Sequence, residues 1–357
     1  MLDTTTTYRT GSQPCAGISD GRALLDLARG WLKQGNPIVA LDLLKSAIVS
    51  NEAEQDQVLR AGVLKETGRA RMMQSDWEGA NGSYLEAQRL FLAAGEYRGA
   101  TECARNRANA EFQQGNYNRC EDLCEEALEW ATQTSDYELR ATVLNTLGAV
   151  RSARGEHAEA IKVLKLCLSD FESAGNVIRQ GYVLLNIGLT HTEIGEFDQA
   201  VENLNGALAV ALDEKDLNLV EICYQNIARC HLERGETIIA KSVIDTARKI
   251  LPGLNSKALE AELNLIDGRI LRVMGNIDAA ADMLTVTHNM AVTNKMPAME
   301  AETVFEQGLL EKDRGNYDIA CAKLDAAAVM FKQIGMDRRF QDSVQVLSNL
   351  KRKLNAR

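Results

Sequence analysis

Only four prolines are spread over 357 residues, so almost nothing in the chain forces a helix to stop. Aromatic residues make up 5% and hydrophobic residues 45%, a balance that suits many helices packed through alanine and leucine and argues against disorder. No run approaches the roughly 20 apolar residues needed to span a bilayer, which excludes a membrane-spanning helix. Met1 to Ser19 has neither the basic start nor the apolar centre of a secretory signal. With Thr4 to Thr7, Gly11, Pro14 and Gly17, it reads as a disordered lead-in. Excess positive charge is missing too. Forty Lys and Arg against fifty Asp and Glu leave a net charge of -10, which disfavours nucleic acid and anionic membrane as partners. No GxxxxGK[ST] loop, strand-linked GxGxxG or GxSxG elbow occurs, and no strand pattern exists to hold one, so neither enzymatic activity nor a cofactor is expected. The eight cysteines form no compact framework, and without an export signal they point to reduced thiols and a cytoplasmic chain.

What the chain does have is a period. Glycines recur every forty residues at Gly35, Gly115, Gly155, Gly195, Gly235, Gly275 and Gly315, with Ser75 in the one vacant place. Five residues later comes Ala40, Ala80, Cys120, Ala160, Ala200, Ala240, Ala280 and Ala320. Seven residues before each turn comes Ala28, Gly68, Ala108, Gly148, Gly188, Ala228, Gly268 and Gly308, never a large side chain. Small residues on both partners let two helices approach closely. The row Leu44, Tyr84, Cys124, Leu164, Leu204, Ile244, Leu284 and Leu324 supplies the bulk, at spacings that put it on one helical face. A second breaker falls midway, at Gly95, Ser135, Gly175, Lys215, Asn255, Lys295 and Gly335, so each repeat is two helices of similar length. Such hairpins bury their apolar faces only by stacking. The expected fold class is an all-α, right-handed α-solenoid forming one array. Eight hairpins fall at 20–54, 55–94, 95–134, 135–174, 175–214, 215–254, 255–294 and 295–335, and a C-terminal capping helix at 336–357.

Gly148 with Gly155 and Ala160, Gly188 with Gly195, Phe197 and Ala200, and Gly308 with Gly315, Tyr317 and Ala320 resemble the tetratricopeptide repeat. That family's usual period is 34 residues. The forty-residue form is similar to the repeats of Pins-type adaptors, kinesin light chains, MalT-type activators and Rap-type regulators. Two family features are missing: the proline that ends the second helix, and the tyrosine facing the next repeat, whose row reads Trp31, Arg71, Glu111, Arg151, His191, His231, Leu271 and Glu311.

The resemblance implies that the first helix of each hairpin lines a concave face. The rows it places there hold eight basic residues and no acidic one. They suggest two basic zones, Arg29, Lys65, Arg69 and Arg105 with Asn109, and Arg229, Arg269 and Arg272 with Gln225, separated by an amide and apolar centre at Asn145, Leu185 and Leu189. Arg forks and amides suit carboxylates, phosphates and peptide main chain. The competing reading is a surface of salt bridges to acids in flanking rows, among them Asp26, Glu66, Glu102, Glu262 and Glu306. The expected function is a non-enzymatic adaptor binding a protein or peptide partner with anionic groups. A sensor module for a small ligand or signalling peptide, and a homo-oligomer assembled through the uncapped first helix, are the alternatives. Cys120 and Cys124, and His191 and His231 beside Cys230, read as packing residues, since no CxxC or HExxH spacing supports a metal.

Overall fold

The computed structural model describes residues 20–250 and 257–355, so the lead-in, Cys15, the breaker Asn255 and the final arginine lie outside the described residues. Every described element is a helix, and the chain divides into two compact units, 1–176 and 177–357. The first unit holds α1 (Gly21–Lys33), α2 (Pro37–Ile48), α3 (Asn51–Gln55), α4 (Gln57–Met73), α5 (Trp77–Ala93), α6 (Tyr97–Gln113), α7 (Tyr117–Thr134), α8 (Tyr137–Ala153) and α9 (His157–Ser173). The second holds α10 (Val177–Glu193), α11 (Phe197–Asp213), α12 (Leu217–Glu233), α13 (Thr237–Ile250), α14 (Lys257–Val273), α15 (Ile277–Thr293), α16 (Pro297–Arg314), α17 (Tyr317–Gln333) and α18 (Asp337–Asn355).

Each hairpin closes through the same turn. At Gly195 the backbone is left-handed, φ 78°, and two bonds tie off the helix end: Gly195 N–H donates to the Thr192 carbonyl at 3.2 Å, and Glu196 N–H to the His191 carbonyl at 3.0 Å. Ser75 adopts the same shape at φ 59°, as do the midway breakers Ser135, Lys215 and Lys295. The row that lacks the family tyrosine braces this turn. His191 Nδ1 meets Glu196 and His231 Nδ1 meets Glu236, both at 2.7 Å, while Asn116 donates to Glu111 at 2.9 Å and Asn316 to Glu311 at 2.7 Å. A polar pair five residues apart spans the turn, so His191 and His231 act in their own hairpins.

Within each hairpin, a small residue on the first helix receives the bulky one on the second. A methyl group added at Gly188 would lie 2.8 Å from Leu204 Cγ and 3.2 Å from the Ala200 carbonyl oxygen. Gly68 meets Tyr84, Gly148 meets Leu164, Gly268 meets Leu284 and Gly308 meets Leu324 in the same way. Cys120 and Cys124 are fully buried in the alanine and leucine rows, and the hydrogen bond with the Cys120 thiol, followed by burial, raises the Cys124 pKa. His157 and His288 are half-buried.

The first unit contains one element that the forty-residue period does not predict. Between α2 and α4 the chain makes the single-turn α3, because Ser50 caps it at the start and Asp56 caps α4 immediately after it. The outer helix α1 is largely covered by α2 and α4. Leu24, Leu25 and Leu32 are buried, and Leu27 is its only exposed leucine. In the second unit Arg338, at the start of α18, reaches Glu193, at the end of α10, at 2.7 Å, so the first and last helices of that unit touch through their side chains.

Replacing Gly188 with valine should lower stability by about 1–3 kcal/mol in a denaturant melt, and adding Leu204→Ala should recover part of the loss. An unchanged midpoint for the single variant would show that the two helices are not in contact there.

Candidate functional site

The first helices of successive hairpins run side by side, and their polar side chains meet at a fixed offset. Arg29 on α1 pairs with Glu66 on α4 at 3.3 Å, and Lys65 with Glu102 on α6 at 2.5 Å, each 37 residues on. Thr146 donates to Asn109 at the same offset, and Arg269 on α14 meets Glu306 on α16 at 2.7 Å. Constant offset follows from constant repeat length: one turn short of a full period, the next helix presents its residue alongside.

Arg29, Lys65, Asn109 and Arg269 are taken up by this ladder, and contacts at other offsets take up further expected binding residues. Arg29 also holds Asp26 at 3.0 Å, and Arg69 lies 3.6 Å from Glu66. Arg105 donates to Asn106 at 2.7 Å. Arg269 holds both Glu302, at 2.8 Å, and Glu306, and Arg272 takes Glu306 at 3.4 Å and Asp313 at 2.7 Å. Leu185 is 5% exposed and belongs to the core with α11, α12 and α13, and Leu189 packs on the same cluster, so neither offers the open apolar face expected of them. Asn145 is half-buried on α8. The salt-bridged reading therefore describes Arg29, Lys65, Arg69, Arg269 and Arg272, while Arg105 is held by an amide and Arg229 stands apart.

Arg229 has no ion-pair partner among the described residues. The residue 37 positions on, where an acid stands in the ladder, is Ile266. One turn earlier the ladder fails again. Gln225 occupies the place that Lys65 has in its repeat, and the residue it should match, Glu262, is left without a cation among the described residues. Both positions line a cavity of about 530 Å³ in the second unit. Its walls are Gln225, Asn226, Arg229 and Leu232 from α12, Ala258, Glu262, Leu265, Ile266 and Arg269 from α14, and Met296 to Met299 with Glu302 at the start of α16. Sequence reasoning missed the α16 wall, because Met296 and Pro297 stand at a helix start that the row arithmetic passes over.

Glu221, one turn before Gln225 and accepting a hydrogen bond from it at 2.9 Å, lies next to the lining rather than in it. Burial first, and then the Glu262 carboxylate, push its pKa up to about 7, with Gln225 pulling the other way. The lining thus carries one carboxylate, Glu262, and one guanidinium, Arg229, that the framework does not cancel, beside the apolar Leu265, Ile266 and Met299, with the Glu221 carboxylate next to Glu262.

A family model described as the tetratricopeptide repeat matches residues 100–173, which span most of α6 and all of α7, α8 and α9. The chain contains tetratricopeptide repeats. No curated protein matches it by sequence. Among solved structures it is similar to a Rap protein complexed with competence and sporulation factor, at 16% identity and TM-score 0.58, covering 94% of this chain and 98% of that one. It is also similar to aspartyl phosphate phosphatase F from Bacillus subtilis, at 13% identity and TM-score 0.59, covering 95% and 96%. The apo quorum sensor NprR from B. thuringiensis matches at 12% identity and TM-score 0.58, covering 92% and 98%. At these identities the likeness is one of fold. It extends the repeat architecture beyond the matched stretch. Among the described residues no three His, Cys, Asp or Glu side chains converge as a metal site would require, and no helix is long and apolar enough to cross a membrane.

Arg269→Met should cost about 3 kcal/mol, since it removes a partner from the buried Glu306. Arg229→Met should change stability by less than about 0.5 kcal/mol. Equal losses in urea melts would mean that the two arginines stand in equivalent surroundings. For Glu221, the folded protein holds a proton between roughly pH 4.3, the ordinary glutamate value, and its raised pKa, where the unfolded chain has released it. Stability therefore falls as pH rises through that window. Glu221→Gln removes the loss: variant and parent should melt alike below the window, and the variant higher above pH 7. A constant difference across the range would contradict the assignment.

Proposed function

We propose that the chain is a non-enzymatic protein-interaction module that takes a peptide, or an exposed segment of a partner protein, in the cavity formed by α12, α14 and α16. The observation that carries this reading is the local failure of the ladder. Arg29, Lys65, Arg69, Arg269 and Arg272 are matched by acids within the framework, whereas here a volume of about 530 Å³, within the range of ligand sites, brings the unmatched Arg229 and Glu262 beside the apolar side chains of Leu265, Ile266, Met296 and Met299. An extended segment supplies what such a wall accepts: apolar side chains, charged side chains, and main-chain groups for Gln225 and Asn226. The seven described cysteines are free thiols, which fits a reducing compartment, and we place the chain in the cytoplasm.

A second reading makes the same cavity the input of a regulatory switch. It draws on the fold shared with the quorum sensor NprR and with the Rap protein solved with competence and sporulation factor. The Arg338–Glu193 contact joins the first and last helices of the second unit, and a bound ligand would shift that contact if the switch reading holds.

Ala258 is exposed at the cavity wall, and Ala258→Trp fills the opening without touching the core. In an affinity capture from the native cell, the adaptor reading expects a stoichiometric partner that the tryptophan variant loses while its circular-dichroism melt stays unchanged. Retention of that partner by the variant would place the binding surface elsewhere.

A further inference from the structure

We infer that the cavity in the second unit selects a segment of opposite charge at its two ends, with a basic side chain or amine held by Glu221 and Glu262, and a carboxylate held by Arg229. The inference rests on the reading of that cavity as the binding site and adds the chemistry of its occupant.

Arg229 and Glu262 have lost the partners that equivalent residues keep in other repeats. In the repeat of Lys65, the cation at this ladder position neutralises Glu102 at 2.5 Å. In the repeat of Arg269, the guanidinium is matched by Glu306 at 2.7 Å and Glu302 at 2.8 Å. The cavity replaces the cation of the first arrangement with Gln225 and the anion of the second with Ile266. Glu262 and Arg229 keep their charge, and the groups that would have cancelled them are gone from neighbouring positions on the same two helices. They do not neutralise each other, since no ion pair joins them. Glu221 adds a second carboxylate on the acidic side, where its repulsion from Glu262 is relieved by any cation placed between them.

Spacing sets the size of the occupant. Glu221 and Arg229 are eight residues apart on one helix, about 12 Å along its axis. An extended chain rises about 3.3 Å per residue, so basic and acidic residues three apart put their Cα atoms about 10 Å from each other, and their side chains span the rest. The two residues between them fall against Leu265, Ile266 and Met299. A uniformly acidic segment, which the basic rows alone would suggest, meets the Glu221 and Glu262 carboxylates and is disfavoured there.

The test uses acetylated and amidated tetrapeptide mixtures with Leu, Ile, Met or Phe at the two middle positions. The ends are Lys and Glu, in both orders, or have one or both replaced by Gln. Binding to the full chain is read by isothermal titration. A mixture carrying both charges is expected to bind at least tenfold tighter than any mixture lacking one of them. Glu262→Gln should abolish the advantage conferred by lysine alone, and Arg229→Gln that conferred by glutamate alone. If all mixtures bind alike while Ala258→Trp blocks them, the cavity is a site without charge selection and the inference is wrong, though the binding reading stands. If no mixture binds, or Ala258→Trp blocks none, the binding reading fails and the inference with it. If the Gln–Glu mixture binds best, the occupant is anionic only, and the assigned role of Glu221 and Glu262 is overturned.

Discussion

The contact on which the rest depends is the one between a residue with little or no side chain on the first helix of a hairpin and a bulky one on the second. Where Gly188 faces Leu204, the two backbones lie so close that even a methyl group would collide with the leucine. Repeating this contact in nearly every hairpin fixes the distance between paired helices, and the left-handed residue at each turn fixes where the second helix begins. With both set, successive first helices have little freedom to slide along one another. The constant 37-residue offset of the polar pairs is the consequence.

That offset turns a spatial question into arithmetic on the chain. Arg29, Lys65 and Arg269 are each met by an acid 37 residues on; Arg69 and Arg272, which have none there, take acids at other offsets, and Arg229 has neither among the described residues. The ladder pairs are individually modest where exposed, and they matter more as a filter. They remove from consideration the charges that serve only the fold, and Arg229 and Glu262, which they leave, line one cavity. Arg229, Glu221 and Glu262 gain from being left over, because a charge already paired has little to offer a ligand.

Much of the fold was legible because the rows repeat. The helices, the turns at Gly195 and its equivalents, and the small-to-bulky pairing of Gly188 with Leu204 can all be read from the forty-residue alignment of the chain on itself. The helix α3 was not, since Ser50 and Asp56 are caps peculiar to one repeat and a periodic reading averages them away. The site was only half legible. Arg229 and Gln225 stood among the expected residues, but so did Arg269, Arg272 and Lys65, which are spent on ion pairs, and Leu185, which is core. Rows taken one helix at a time show which charges face inward. They omit the neighbouring helix that cancels them, and only the offset between helices separates Arg229 from Arg269.

The central claim is that the ladder register is what leaves Glu262 unmatched, and Gln225→Lys tests it most directly. The substitution restores at this position the cation that Lys65 provides for Glu102, beside two carboxylates that now repel each other. The register predicts a higher melting temperature for the variant at low salt, corresponding to about 0.5 kcal/mol, with the gain shrinking as salt is added. A melting temperature that is unchanged or lower at low salt would contradict it.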